Sequence, residues 1–197
     1  MAGRVAGRIV EVEAYVGEDD RASHARFGPT ARNRIMYGEP GRAYLYLVYG
    51  MHTCLNVVTE PEGRPAAVLI RAVELTSGID AARTLRVRRD TGVRRIQPDP
   101  TAQARVADRV AATPALRLAS GPGLVGAAFG LDPTLTGLDL CDPASRLRLE
   151  PGEPIADERV LATPRIGIDY AGEPWTSVPW RLTIAGNGAL SGPRTGR

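Results

Sequence analysis

Apolar and polar residues alternating with a period of two, broken by turn residues, constrain this chain more than anything else in it. Arg8-Ile-Val-Glu-Val-Glu-Ala-Tyr15 alternates in this way. In an extended strand the pattern sends Glu11, Glu13 and Tyr15 to one face and Val10, Val12 and Ala14 to the other. The bare pattern predicts a buried apolar side and a solvated acidic one. After the turn signal Glu39-Pro40-Gly41, residues 42–59 read as two strands joined at or near Tyr49-Gly50, where glycine supplies a backbone conformation that other residues resist. Tyr44 and Tyr46 then share a strand face, and Tyr49 falls close to the hairpin tip. A third strand, residues 67–75, follows the turn at 61–65, so the three segments predict an antiparallel meander.

Residues 16–34 sustain neither a helix nor a strand period and carry Gly17, Gly28 and Pro29, which predicts a long connection. It holds His24, one of two histidines. Arg83, Arg86, Arg88, Arg89, Arg94 and Arg95 face Asp80 and Asp90 in sequence, as in a solvated or mobile surface segment. Residues 101–112 predict a helix. Gly121-Pro-Gly123 then opens an apolar run, and a glycine turn entering a helix offers free N–H groups to an anion. It is not a Walker loop, because the G-K-[ST] ending is absent. Residues 145–150 and 159–162 read as further strands, and the Gly- and Ser-rich stretch 185–197 as a flexible tail.

With 197 residues and 43% hydrophobic content the chain has enough material for one full core. No apolar run approaches a membrane span and no signal-peptide layout opens the sequence, so the expectation is an intracellular, cytoplasmic protein, nucleoid-associated if bacterial. Cys54 and Cys141 lack metal spacing and are expected as two buried thiols, with no cofactor implied. All 25 basic residues are Arg and none is Lys. Schiff-base chemistry would therefore have to use the amino terminus. The net charge of +3 says little until it is localised, but a clustered Arg segment would give it a nucleic-acid face. A protruding aromatic flanked by basic residues has a use on such a face, which is to enter a base stack and hold it open.

Taken in order, Arg-Ile-Val-Glu-Val-Glu-Ala-Tyr, Ser-His, Thr-Ala-Arg-Asn-Arg, Ala-Tyr-Leu-Tyr-Leu-Val-Tyr-Gly-Met, Leu-Asn-Val-Val-Thr, Leu-Ile-Arg-Ala-Val-Glu, Ser-Gly-Pro-Gly and Pro-Arg-Ile-Gly-Ile-Asp-Tyr-Ala resemble the alkyladenine (3-methyladenine) DNA glycosylase family, from about Gly7 to about Leu182. The resemblance implies an α/β fold of the α+β type. It would be a single compact domain over residues 1–184, with a curved antiparallel β-sheet, a protruding β-hairpin and surrounding helices. It makes Glu13 the general base that activates a water, with Arg71 and the backbone carbonyl of Ile166 helping to hold that water. Tyr15 would stack on one face of an extruded base and His24 and Tyr46 on the other. Asn56 would stand at the pocket wall against the amino group of guanine, and Tyr49 would fill the space left in the duplex. Arg34, Gly121, Gly123 and Arg165 would lie along the DNA. The implied partner is double-stranded DNA containing damaged bases, bound by a monomer.

Two departures from the family pattern carry expectations. The family places a helix and a strand ahead of the stretch at Gly7, which leaves the Glu13 strand with an exposed edge. Leu124-Val125 stand where the family often has a basic residue, which weakens a phosphate grip there.

The chemistry suits these residue types. N-glycosidic cleavage passes through an oxocarbenium-like state that a carboxylate stabilises while taking a proton from water. A 3- or 7-alkylated purine is already cationic and leaves readily, so one carboxylate suffices. Without a lysine, the expected enzyme is monofunctional and leaves an abasic site. The alternative is a non-catalytic nucleic-acid-binding domain on the same scaffold, which would not need a carboxylate near phosphates. A carbohydrate glycosidase would want a second flanking carboxylate, and Glu11 comes from the same strand as Glu13.

Overall fold

The computed structural model describes residues 4–92 and 100–192. Among them, six strands form one curved antiparallel sheet in the order β2-β3-β4-β1-β6-β5. The strands are β1 Ala6–Val16, β2 Ala43–Val48, β3 His52–Val58, β4 Ala66–Ser77, β5 Val160–Thr163 and β6 Arg181–Ile184. Helices α1 Ile79–Gly92, α2 Pro100–Ala112 and α3 Pro122–Ala128 make the fold α+β. The meander read from the sequence is present as β2-β3-β4, with β2 and β3 paired from Ala43↔Val57 to Val48↔His52.

The pleat separates two jobs. Leu45, Leu55 and Ile70 point to the side where Val125 and Ala128 of α3 and Ala82 of α1 complete the main core. Each buried Leu, Ile or Val there contributes roughly 1.5–3 kcal/mol, so this side supplies the larger share of apolar burial. A β-carbon on Gly126 would lie 2.0 Å from the Thr53 carbonyl oxygen, so α3 reaches β3 only because that position is glycine. On the opposite face, Tyr44, Val58 and Ala67 pack with Met36 and Ala25 of the connection before β2. The polar residues of the sheet also gather on that face.

β1 does not lie at an edge. It pairs with β4 along its length and with β6 from Glu11↔Thr183 to Glu13↔Arg181, so the exposed edge expected at the Glu13 strand is absent among the described residues. Register shifts interrupt the β1–β4 ladder: Glu11 opposes Ala72 and Val12 opposes Ile70, which leaves Arg71 between partners. An extra residue of this kind bends a strand and re-aims a side chain.

Other expectations are corrected. The segment expected to be solvated or mobile is α1 as far as Gly92, and its arginines are partly consumed inside the molecule. Arg86 is 8% exposed and donates to the Leu118 carbonyl, while Arg83 donates to the Val110 and Ala111 carbonyls at the end of α2. Carbonyls at the end of a helix attract cations. Arg94 and Arg95 lie outside the described residues. Residues 145–150 form no strand. The stretch from Ala185 is not a loose tail as far as Ser191: Ala189 is fully buried, Ser191 is 4% exposed, and Arg117 and Ser120 hold the Leu190 carbonyl. Residues 193–197 lie outside the described part. Of the two cysteines expected to be buried, Cys54 is buried and Cys141 is exposed. No described helix is long and apolar enough to cross a membrane.

Candidate active site

The acidic side of β1 faces inward, contrary to the solvated face its alternation predicts, because arginines from neighbouring strands pay for its burial. Glu11 is 1% and Glu13 0% exposed. Arg71, swung out by the irregular ladder, lies between them: its Nε donates to Glu11 Oε1 at 3.0 Å and its Nη1 to Glu13 Oε2 at 3.1 Å. Buried carboxylates this close would repel strongly without such a bridge.

Glu13 accepts two further hydrogen bonds. Tyr15 Oη donates to its Oε2 at 2.9 Å, and the backbone N–H of Ile166 donates to its Oε1 at 2.7 Å. Position 166 thus reaches the carboxylate through its amide, a contact separate from the one to a water that was expected of its carbonyl. Burial and the Glu13 charge push the Tyr15 hydroxyl far above its ordinary range, which keeps it a donor.

Ile166 is placed by its neighbour. Arg165, expected along the DNA, has a fully buried side chain that donates to both oxygens of Asp20, at 2.6 and 2.9 Å, and to the Ala14 carbonyl. Its guanidinium stacks over Tyr15 at 4.7 Å and Trp180 at 5.0 Å. It backs the Tyr15 ring and anchors the loop carrying the Ile166 amide, a structural use of the charge.

The second wall comes from the long connection and the hairpin. His24 begins a single 3₁₀ turn, His24–Phe27, and its ring meets Tyr46 edge-on at 4.5 Å. His24 Nδ1 is 2.8 Å from the Tyr44 hydroxyl. Packing of the ring, and next the charges of Arg32 and Arg26, push the His24 pKa down to about 4, so the imidazole is neutral near pH 7. Asn33, buried at 1%, fixes this turn by donating to the His24 and Gly28 carbonyls. Asn56, 3% exposed on β3, lies opposite Tyr44 and donates to its carbonyl at 3.2 Å. Opposed pairs run across the sheet from Tyr44 through Asn56 and Leu69 to Glu13. The two walls and the carboxylate therefore share one face.

Tyr49 stands apart at the hairpin tip, 87% exposed, in a turn closed by Met51 N–H to the Val48 carbonyl at 3.0 Å. Its φ of 52° makes it the one non-glycine with positive φ among the described residues. That conformation is costly for a bulky side chain, and such strain collects where function requires it. Leu47 and Met51 beside it are 42% and 43% exposed, which gives the tip an apolar surface.

Arg34 is exposed, but the neighbouring Arg32 is the one that touches the site, its guanidinium 5.2 Å over the Tyr46 ring and its Nη2 donating to the Leu47 carbonyl. Gly121 precedes α3 with φ 138°. A β-carbon on Gly123 would meet the His52 ring at 2.9 Å, so that glycine answers first to packing against the hairpin. The sequence reading missed Asp20, Arg32, Asn33, Tyr44, Arg181 and Ser191. Asn33 lies inside a motif quoted for the resemblance, whereas Ser191 gave no local signal. Among the described residues no three His, Cys, Asp or Glu side chains are grouped to hold a metal ion.

The same order of residues recurs in other proteins. The sequence profile of the methylpurine-DNA glycosylase (MPG) family matches residues 1–188. A protein of Methanocella arvoryzae is 45% identical over 181 residues, which cover 92% of this chain and 77% of the relative. One from Frankia casuarinae is 41% identical over 204 residues, 99% of this chain and 83% of its own, and one from Myxococcus xanthus 40% over 195 residues, 98% and 81%. All three have 3-methyladenine DNA glycosylase in their names.

Proposed function

The chain belongs to the methylpurine-DNA glycosylase family, and from that premise we propose that it is a base-excision repair glycosylase in which Glu13 hydrolyses the N-glycosidic bond of an alkylated purine flipped out of duplex DNA. The observation that carries the reading is a fully buried carboxylate beside a tyrosine ring, with a neutral histidine and a second tyrosine on the same face.

A carboxylate offers about four acceptor positions. Arg71, Tyr15 and the Ile166 amide fill three at Glu13. The fourth takes the hydrolytic water, whose proton passes to Glu13 as its oxygen attacks the anomeric carbon. The buried negative charge also opposes the positive charge that develops on the sugar. Tyr15 stacks on one face of the base and His24 with Tyr46 on the other. Electron-rich rings favour a cationic alkylpurine over a neutral one by about 0.5–2 kcal/mol. A His24 pKa of about 4 serves this selectivity, because a protonated imidazole would repel the cation. Asn56 at the pocket wall disfavours the amino group of guanine.

Tyr49 fills the gap in the duplex, and its outward, strained placement fits a side chain whose partner is a base stack. With no Lys in the chain, the enzyme is monofunctional and leaves an abasic site. One domain with one DNA face acts as a monomer on damaged double-stranded DNA, without a cofactor.

The test is incubation of the purified protein with alkylated duplex DNA, followed by chromatography of released bases and strand analysis with and without alkali. Free 3-methyladenine and a strand cut only after alkali are expected. Absence of free base would refute the glycosylase reading. Cleavage without alkali would refute the monofunctional one.

A further inference from the structure

Glu11 is a buried charge that the chemistry above leaves unused, and it accepts one more hydrogen bond than Glu13 does. Its Oε1 accepts from Arg71 Nε at 3.0 Å, Arg181 Nε at 2.7 Å and Ser191 Oγ at 2.8 Å, and its Oε2 accepts from the Ser191 backbone N–H at 2.5 Å. Ser191 comes from the far end of the described chain. It also accepts from Arg71 Nη2 at its hydroxyl, at 3.2 Å, and from Arg181 Nη2 at its carbonyl, at 3.3 Å.

Consider what this does to Arg71. Like Val10 and Thr76 it has no opposed partner in the β1–β4 register, so the ladder does not fix its direction. A guanidinium is a planar fork, and holding two of its nitrogens sets the third. Glu11 takes Nε and Ser191 takes Nη2, which leaves Nη1 aimed at Glu13. We propose that Glu11 and Ser191 form a cradle that positions Arg71 against Glu13, making both of them positioning residues for base excision. The proposal rests on the assignment of Glu13 as the base.

The cradle also acts through charge. If Arg71 had Glu13 as its sole anion, its full charge would stabilise the Glu13 carboxylate and make it a poorer proton acceptor. Glu11 shares that charge. The groups that face Glu13 are Glu11 and Tyr15 from β1, Arg71 from β4, Arg181 from β6 and the Ile166 amide, with the Cys54 thiol of β3 near Arg71 and the Arg165–Asp20 pair closed behind Tyr15. Of these, Glu11 is the anion that Arg71 bonds besides Glu13. Burial pushes the Glu11 pKa up, but the Ser191 and Arg181 hydrogen bonds outweigh it and hold the group below the ordinary carboxylate range, so Glu11 stays ionised while Glu13 works.

The experiment is single-turnover excision of 3-methyladenine with enzyme in excess, which reports the rate constant of the folded molecules whatever fraction has misfolded. Wild type, Ser191→Ala, Glu11→Gln and the double variant are compared across pH, with DNA affinity measured alongside. Ser191→Ala keeps the backbone N–H and loses only the hydroxyl. It is expected to slow excision by roughly 10- to 100-fold with unchanged DNA affinity, as a misplaced active-site group does. Glu11→Gln is expected to slow it at least as much and to move the acid limb of the rate profile to lower pH, and the double variant to be no slower than Glu11→Gln. Wild-type rate constants in both single variants, with only a lower melting temperature, would overturn the cradle while leaving Glu13 in place. No base release by the wild type would overturn the glycosylase reading and the cradle with it.

Discussion

Arg165 and Arg71 are both buried arginines that bond carboxylates, yet they serve different ends. Arg165 pairs with Asp20 in a bidentate contact and stacks behind Tyr15, away from any solvent that could replace the lost bonds. Removing one partner of such a pair leaves a bare buried charge at a cost of about 3–5 kcal/mol. Arg165→Ala is therefore expected to lower the free energy of unfolding by an amount in that range, seen as a lower urea midpoint, and a midpoint unchanged from wild type would contradict the structural role. Arg71 bridges two carboxylates on the face proposed for catalysis, so its loss is expected to be felt in rate as well as in stability. At this scale alternation put Glu11, Glu13 and Tyr15 on one strand face, and the family resemblance gave Glu13 and Tyr15 their roles. Alternation misread Glu11, because it reports faces and not what covers them. Arg181 and Ser191, which bury that acid, lie 170 and 180 positions further along.

At the scale of elements, the β2–β3 hairpin and the irregular β1–β4 ladder set where the site residues point. The hairpin was legible, since Tyr-Gly between two apolar runs is a turn signal, although the sequence suggested glycine alone would take the left-handed conformation. Tyr49 takes it as well, with φ 52° beside Gly50 at 67°. A left-handed residue with a β-carbon costs roughly 1–2 kcal/mol relative to glycine. Tyr49→Gly is thus expected to raise the melting temperature while slowing excision from duplex DNA and weakening binding to it. A variant that melts lower, or excises at the wild-type rate, would contradict the view that the hairpin keeps strain for use on DNA. The bulge at Arg71 was not legible, because register comes from pairing between strands and leaves no mark in either strand's own pattern. The strand expected at 145–150 failed for a related reason: alternation there found no partner in the sheet.

For the whole molecule, the sheet divides folding from chemistry, with helices on one face and the acid, rings and arginines on the other, and this division predicts how stability depends on pH. Folding lowers the His24 pKa from 6.5 to about 4, so between those values the unfolded chain binds the proton that the folded chain refuses. Stability is fully present above pH 6.5 and is lost as pH falls through that window, by a modest amount because the ring is partly exposed to solvent. Glu11, held below its ordinary value of 4.5, adds a loss of the same sign at lower pH. Melting temperature should therefore fall from neutral to acid pH, and His24→Gln should flatten the upper part of the fall. A rise in stability below pH 6.5 would have the wrong sign. The meander could be read from period and turn residues and the fold class from the family resemblance, whereas the packed C-terminal stretch could not, since Gly and Ser composition resembles that of a loose tail until Glu11 supplies a partner. The central claim, that the buried carboxylate on β1 is the base of a DNA glycosylase, is tested most directly by single-turnover release of 3-methyladenine from alkylated duplex DNA by wild type and Glu13→Gln at fixed salt. Loss of about 10²-fold or more in rate with DNA affinity retained is the predicted result. Equal rates of base release from the two proteins would contradict it.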